Sequence, residues 1–125
     1  MIYFSYKNNK FFCEDVEIKK IIENVGTPCF IYSSNYINDR IKKFKDAFNT
    51  INYKICYALK ANSNLTLLNE IKKAGIGADC VSGGEIFKSL KVGIDKDKII
   101  YNGNGKTDEE ITYAIKNNIF MFNID

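Results

Sequence analysis

A lysine stands at the end of an apolar run in the middle of the chain. Residues 53–59 read Tyr-Lys-Ile-Cys-Tyr-Ala-Leu, which is typical of a buried β-strand, and Lys60 follows directly. An amine at the mouth of an apolar strand is poorly solvated, which favours its neutral form. A neutral lysine amine is a nucleophile that forms a Schiff base with an aldehyde. The sequence therefore predicts a covalent lysine site at residue 60.

A carboxylate lies near the end of the next predicted strand. Residues 77–81 read Gly-Ala-Asp-Cys-Val, which places Asp79 close to the C-terminal end of that strand. The C-terminal ends of parallel strands meet on one rim, so Lys60 and Asp79 are expected on the same rim. The same sequence would also be found if Asp79 were only a carboxylate at a helix N-terminus, or a loop residue with its hydrogen bonds formed within the protein.

Alternating strands and helices must position these residues. Two short aromatic-rich runs, 2–6 and 10–13, around the turn-like Lys7-Asn8-Asn9 predict a hairpin or two short strands. We then predict strands over 29–32, 53–59, 77–81, 98–101 and 119–124, and helices over 16–24, 34–48, 64–74, from Ser82 and up to Asn117. Two S/T-x-x-E patterns, Ser82 with Glu85 and Thr107 with Glu110, predict capping boxes at two helix starts.

Strands that alternate with helices predict an α/β fold with a parallel sheet and right-handed crossovers. The pattern alone fits a doubly wound sheet as well as part of a (β/α)8 barrel. A complete barrel of this type takes about 250 residues. If the fold is a barrel, the 125 residues would provide about four of its βα units.

Three motifs in order carry a family resemblance: Tyr57-Ala-Leu-Lys-Ala-Asn-Ser-Asn-Leu65, Gly77-Ala-Asp-Cys-Val-Ser-Gly-Gly-Glu85 and Asn102-Gly-Asn-Gly-Lys-Thr107. With them, residues 29–125 resemble the first half of the barrel of fold-type III pyridoxal-phosphate decarboxylases, the alanine racemase and decarboxylase type. The resemblance implies a partial (β/α)8 barrel over 29–125 and an N-terminal part, 1–28, with short strands that associate with the family's β-domain.

The resemblance also implies roles for the two rim residues. Lys60 matches the lysine that binds pyridoxal 5'-phosphate, and Asp79 matches an aspartate beside that lysine and the cofactor. A carboxylate there would help to hold the lysine or its imine protonated. The family's stacking histidine, phosphate loop, pyridine-nitrogen partner, substrate arginine and β-domain cannot be mapped onto these residues. We therefore expect this chain alone to be inactive, and the full-length enzyme to be a homodimer.

Several functions remain open within the resemblance. The motifs best match members that convert meso-2,6-diaminopimelate to L-lysine and CO2, a carboxy-lyase reaction of lysine biosynthesis. Relatives that act on ornithine, arginine or carboxynorspermidine share the strand and lysine. A non-catalytic pyridoxal-phosphate-binding barrel and an inert polypeptide are the alternatives from other classes.

The glycines of the second and third motifs have simpler explanations. Gly83 and Gly84 would let the backbone approach a ligand, but helix entry alone accounts for them. Gly105-Lys106-Thr107 ends like a Walker A loop, yet Ile100 stands where that motif requires glycine. We therefore expect no nucleotide site in this loop and at most an auxiliary role at the rim.

Composition excludes several other classes. Hydrophobic residues make up 46% of the chain, which is typical of a globular protein. A net charge of +3, spread along the chain, does not predict nucleic-acid binding. No apolar run approaches the roughly 20 residues of a membrane helix, and no signal peptide is evident, so a cytoplasmic location is expected. Four cysteines without a CxxC pair, and no histidine, predict reduced packed thiols and no zinc site.

Overall fold

The computed structural model of the chain describes residues 2–124, and the chain divides into two units, Met1–Thr50 and Ile51–Asp125. The first unit contains an antiparallel sheet with strands in the order β1 (Phe4–Lys7), β2 (Lys10–Cys13) and β3 (Val16–Glu17). Asn8 and Asn9 form the turn between β1 and β2 with φ of 51° and 60°. A two-residue hairpin turn of this kind requires positive φ at both positions, which asparagine tolerates. The predicted hairpin is confirmed.

Two helices follow in this unit, α1 (Ile18–Val25) and α2 (Ser34–Ala47), close to their predicted bounds. The Ser33 hydroxyl caps α2 by accepting a hydrogen bond from the Tyr36 backbone N–H at 2.9 Å. The Ser33 hydroxyl also donates to Glu14 at 2.5 Å. The predicted strand over 29–32 is wrong, because these residues pair with no strand among the described residues. An apolar run forms a strand only where a neighbour completes its hydrogen bonds.

The second unit is a four-stranded parallel sheet with helices between its strands. The strands are β4 (Cys56–Ala58), β5 (Gly77–Cys80), β6 (Ile99–Tyr101) and β7 (Met121–Phe122). The helices are α3 (Leu65–Lys73), α4 (Gly83–Val92) and α5 (Asp108–Lys116). The sheet order is β4-β5-β6-β7, so each strand pairs with its neighbours in sequence. The four predicted strands and the three helices between them are confirmed, with shorter strands than the apolar runs suggested.

The helices of this unit cover one face of the sheet. Alternate strand residues Ala78, Cys80, Ile99 and Tyr101 are fully buried, in one core cluster with residues of α3, α4 and α5. The residues between them, such as Asp79 and Ile100, are only half-buried on the opposite face. A doubly wound sheet carries helices on both faces, whereas a barrel wall has them outside only. The strands follow one another in sequence order and the helices lie on one face only, so this sheet is part of a barrel wall.

The helix starts show why the sequence forms these elements. The Asn64 side chain accepts from the Thr66 backbone N–H at 2.9 Å and caps α3. Thr107 and Glu110 form the predicted capping box at α5.

None of the helices within residues 2–124 is long and apolar enough to cross a membrane. The domain division at residue 28 stays a prediction.

Candidate active site

Lys60 lies on the rim of the parallel sheet. Strand β4 ends at Ala58, and the chain turns through one 3-10 turn over Leu59–Ala61. Leu59 packs into the core with 1% of its surface exposed, so the side chain that follows it is left outside the core. Lys60 is exposed and forms no hydrogen bond or ion pair with residues 2–124. Its amine is therefore available to react.

The expected poor solvation of Lys60 is wrong for the described residues. The apolar strand stops two residues before the lysine, and the 3-10 turn carries the amine onto the open rim. The surroundings that would desolvate the amine are therefore not formed by β4 itself. The predicted position at the C-terminal end of the strand is correct, and its role stays a prediction.

Asp79 lies on the neighbouring strand, on the sheet face opposite the helices. Its Cα is paired with Ala58 of β4 and with Ile100 of β6. The 3-10 turn that carries Lys60 contacts β5, so the structure brings the two predicted site residues to adjacent strand ends. Lys60 and Asp79 form no ion pair within residues 2–124.

Two asparagines connect Asp79 to the next two strands. The Asn102 side-chain amide donates to Asp79 Oδ1, and the Asn123 amide donates to Asn102 Oδ1. Their backbones extend the sheet, because Asn102 N–H donates to Cys80 O at 2.7 Å and Asn123 N–H donates to Tyr101 O at 2.9 Å. Sequence reasoning did not assign either residue a role, since their partners lie more than 20 positions away in the chain.

Lys106 fixes the loop behind these asparagines. Its ammonium donates to the carbonyl oxygens of Gly103 and of Asn123, the latter at 2.7 Å. It also lies 5.2 Å from the centre of the Tyr101 ring. The lysine that looks like part of a Walker A loop therefore joins its own loop to the residue after β7, and an auxiliary role at the rim stays a prediction.

Residues 34–125 match the sequence model of the family described as pyridoxal-dependent decarboxylase, pyridoxal binding domain. The chain belongs to this family. The diaminopimelate decarboxylase of Aquifex aeolicus is 42% identical over 123 residues, which are 98% of this chain and 29% of that protein.

Solved structures agree with the fold of this pyridoxal-dependent decarboxylase domain. A crystal structure from Aquifex aeolicus matches 98% of the chain with a TM-score of 0.93 and 41% identity. The diaminopimelate decarboxylase of M. jannaschii, in co-complex with L-lysine, matches 98% with a TM-score of 0.86 and 36% identity. The chain spans 30% of each of these two structures. The predicted barrel type is confirmed.

The described residues of this pyridoxal-binding domain fit attachment of an aldehyde cofactor. Lys60 provides an amine without a competing partner, and Asp79 provides a carboxylate on the adjacent strand. Within residues 2–124 no group of three or more His, Cys, Asp or Glu side chains could hold a metal ion. The attachment of a cofactor to Lys60 stays a prediction.

Two of the four cysteines, Cys13 and Cys80, are buried. Burial raises the pKa of the Cys80 thiol to about 12, although its contact with Ser89 partly offsets this effect. Its Sγ lies 3.4 Å from the Ser89 hydroxyl oxygen. Cys13 is also buried, but Cys29 is exposed, so the expectation of packed thiols is wrong for that residue.

Glu110 connects the loops behind the rim of the domain. Its carboxylate accepts from the Gly83 backbone N–H at 2.7 Å, from the Tyr101 hydroxyl at 2.9 Å and from the Thr107 backbone N–H at 3.2 Å. These three hydrogen bonds, the one from Gly83 first, hold the pKa of Glu110 below its usual value. Burial, followed by the hydrogen bond to Glu110, raises the pKa of Tyr101 to about 12.

The same contact explains one of the two adjacent glycines. A Cβ on Gly83 would come within 2.9 Å of Glu110 Cγ, so the close neighbour of this glycine is a side chain of the protein. The Ser82 hydroxyl accepts from Glu85 N–H at 3.3 Å, as predicted for a cap. A full capping box also requires the Glu85 carboxylate to accept from the Ser82 backbone N–H. This part of the prediction is wrong, because the Glu85 carboxylate accepts from Val81 N–H at 2.8 Å.

Proposed function

We propose that this chain is the cofactor-anchoring part of a pyridoxal-phosphate-dependent amino-acid decarboxylase. The observation that carries the proposal is the free amine of Lys60 on the rim of a parallel sheet, one strand away from Asp79, in a domain of the pyridoxal-binding family. The substrate that the relatives favour is meso-2,6-diaminopimelate, since the Aquifex aeolicus relative is named diaminopimelate decarboxylase. The products would be L-lysine and CO2.

The chemistry divides between the cofactor and the protein. Pyridoxal phosphate, when bound, accepts the electrons left behind when the bond to the substrate carboxylate breaks. Lys60 would hold the cofactor by condensing its amine with the aldehyde, with loss of one water. The Asp79 carboxylate would favour a protonated nitrogen at that position, because an opposite charge stabilises the charged form.

The remaining groups of a working site would come from elsewhere in the natural protein. The chain spans about 30% of the relatives' length, and we propose that the parts that bind phosphate and substrate lie in the rest. Under this proposal, residues 1–125 on their own do not decarboxylate amino acids. Decarboxylation by the isolated chain would contradict this division of roles.

The experiment is a decarboxylation assay on the full natural protein with added cofactor. Release of CO2 is measured with meso-2,6-diaminopimelate, ornithine, arginine and carboxynorspermidine. We expect turnover of meso-2,6-diaminopimelate, and its loss in Lys60→Ala but not in Lys116→Ala, an exposed lysine at the end of α5. Turnover of only a different amino acid would mean that this amino acid, and not meso-2,6-diaminopimelate, is the substrate. Cofactor binding without any turnover would show a non-catalytic protein.

Two coarser properties complete the proposal. By the family resemblance, we propose that the full natural protein is a cytoplasmic homodimer. Light scattering of the purified protein measures its mass in solution, and a mass of one subunit at assay concentrations would contradict the homodimer.

A further inference from the structure

Three side chains at consecutive strand ends form a directed chain of hydrogen bonds. Asp79 lies in β5, Asn102 directly follows β6, and Asn123 directly follows β7. Ile100 is paired with both Asp79 and Met121, so these three residues share one face of the sheet. Because strand side chains alternate, Asn102 and Asn123, each two positions further on, lie on that face too.

The chemistry of the groups sets the direction of this chain. An ionised carboxylate only accepts hydrogen bonds, so Asn102 must present its NH2 group to Asp79. The Asn102 oxygen then faces away and accepts from the Asn123 NH2 group. The backbone of Asn123 is itself held, since Lys106 donates to its carbonyl oxygen at 2.7 Å.

We propose that Asn102 and Asn123 are positioning residues, which fix the Asp79 carboxylate on the rim so that its second oxygen is free to accept from a cofactor-bound nitrogen on Lys60. This inference rests on the proposed function, because it assigns a purpose to Asp79 within the same site. Asn102 holds Oδ1 of Asp79, which leaves Oδ2 for the charged nitrogen. Asn123 prevents the Asn102 amide from turning its oxygen toward the carboxylate.

The test uses the full natural protein, freed of cofactor and titrated with pyridoxal phosphate. Two quantities are measured. The first is the dissociation constant of the cofactor. The second is the fraction of bound cofactor whose C=N bond is protonated, which is obtained from the visible absorbance at one fixed pH. Asn102→Leu removes the donor at nearly constant size. Asn123→Asp keeps the shape but exchanges the donor for an acceptor, which draws the Asn102 amide away from Asp79.

We expect both variants to bind the cofactor about tenfold more weakly, which is the size of one hydrogen bond to a charged group. We also expect the protonated fraction to fall in Asn102→Leu, which adds no charge. Asn104→Ala, in the same exposed loop, should change neither readout. Circular dichroism shows whether Asn102→Leu is folded. If it is not folded, the cofactor dissociation constant of Asn123→Asp, which keeps the shape of the side chain, decides whether the inference holds.

A double mutant separates positioning from a merely structural role. If Asn102 acts through Asp79, then Asn102→Leu adds nothing to either readout in an Asp79→Ala background. A full effect of Asn102→Leu in that background would overturn the inference and leave the proposed function intact. A wild-type protein without a Lys60-bound cofactor would overturn both.

Discussion

Glu110 accepts a hydrogen bond from the backbone N–H of Gly83 at 2.7 Å, although the two residues are 27 positions apart. The bond joins the start of α4 to the first turn of α5. The same carboxylate also accepts from the hydroxyl of Tyr101 in β6. One side chain thus connects the segments that follow two neighbouring strands, β5 and β6, and keeps their ends in register behind the candidate site.

Glu110→Gln should destabilise the protein by about 1–3 kcal/mol at neutral pH. An amide has one oxygen to accept with, so at least one of the Gly83, Tyr101 and Thr107 donors loses its partner. Urea unfolding followed by circular dichroism of the full natural protein measures the change. Glu109→Gln is the control, because Glu109 is exposed in the same helix turn. Equal effects of the two substitutions would contradict the role of Glu110.

The stability contributed by Glu110 should depend on pH. Its pKa is lowered in the folded protein from an ordinary value of 4.5, first by the Gly83 N–H and then by Tyr101 and Thr107. A lowered pKa means that the contribution is complete above the unfolded value and is lost as the pH falls through the folded value. The stability difference between wild type and Glu110→Gln should therefore be constant from pH 7 to about pH 5 and shrink below about pH 4.5. A difference that stays constant down to pH 3 would show that the charge of Glu110 has no part in it.

Gly77→Ala should be destabilising because of the close spacing of the sheet. A Cβ at this position would lie 2.2 Å from the Lys98 carbonyl oxygen and 2.9 Å from Cys56 Sγ. Since the first of these is a backbone atom, the neighbouring chain must move, at a cost of about 1–3 kcal/mol. Gly105→Ala is the control, because a Cβ there meets nothing within 4 Å. That control should be neutral or stabilise by about 0.4–1 kcal/mol. Thermal unfolding would refute this explanation if the two variants melted alike.

Leu68→Ala should destabilise the helix layer that supports the sheet. Leu68 is 0% exposed within the core cluster, so its truncation leaves a cavity that costs about 2–5 kcal/mol. Leu65, in the first turn of the same helix, is 39% exposed, and Leu65→Ala should cost about 0.5 kcal/mol or less. Urea unfolding compares the two, and a small loss in Leu68→Ala would mean that the core is packed differently.

Local patterns allowed prediction of most elements, because they depend on neighbours in sequence. The Thr107–Glu110 capping box and the asparagine turn after β1 are confirmed on this basis. The strand over 29–32 was wrong since an apolar run carries no information about its partner. The solvent exposure of the Lys60 side chain could not be predicted from the sequence either.

The contacts that build the rim were beyond prediction for a related reason. Asn102 contacts Asp79 over 23 positions, and Glu110 contacts Gly83 over 27. Nothing in a single sequence marks one asparagine or glutamate as the partner of a residue on another strand. The family motifs include Asp79, Gly83 and Asn102, but only the register of the parallel strands brings these residues and Glu110 together.

Mass spectrometry can identify the atom to which the cofactor is bound. The full natural protein is incubated with pyridoxal phosphate, reduced with borohydride to fix the C=N bond, digested and analysed by mass spectrometry. We predict a pyridoxyl group on the peptide that contains Lys60, and none on that peptide in Lys60→Ala. A pyridoxyl group on a different lysine, with Lys60 unmodified, would contradict it.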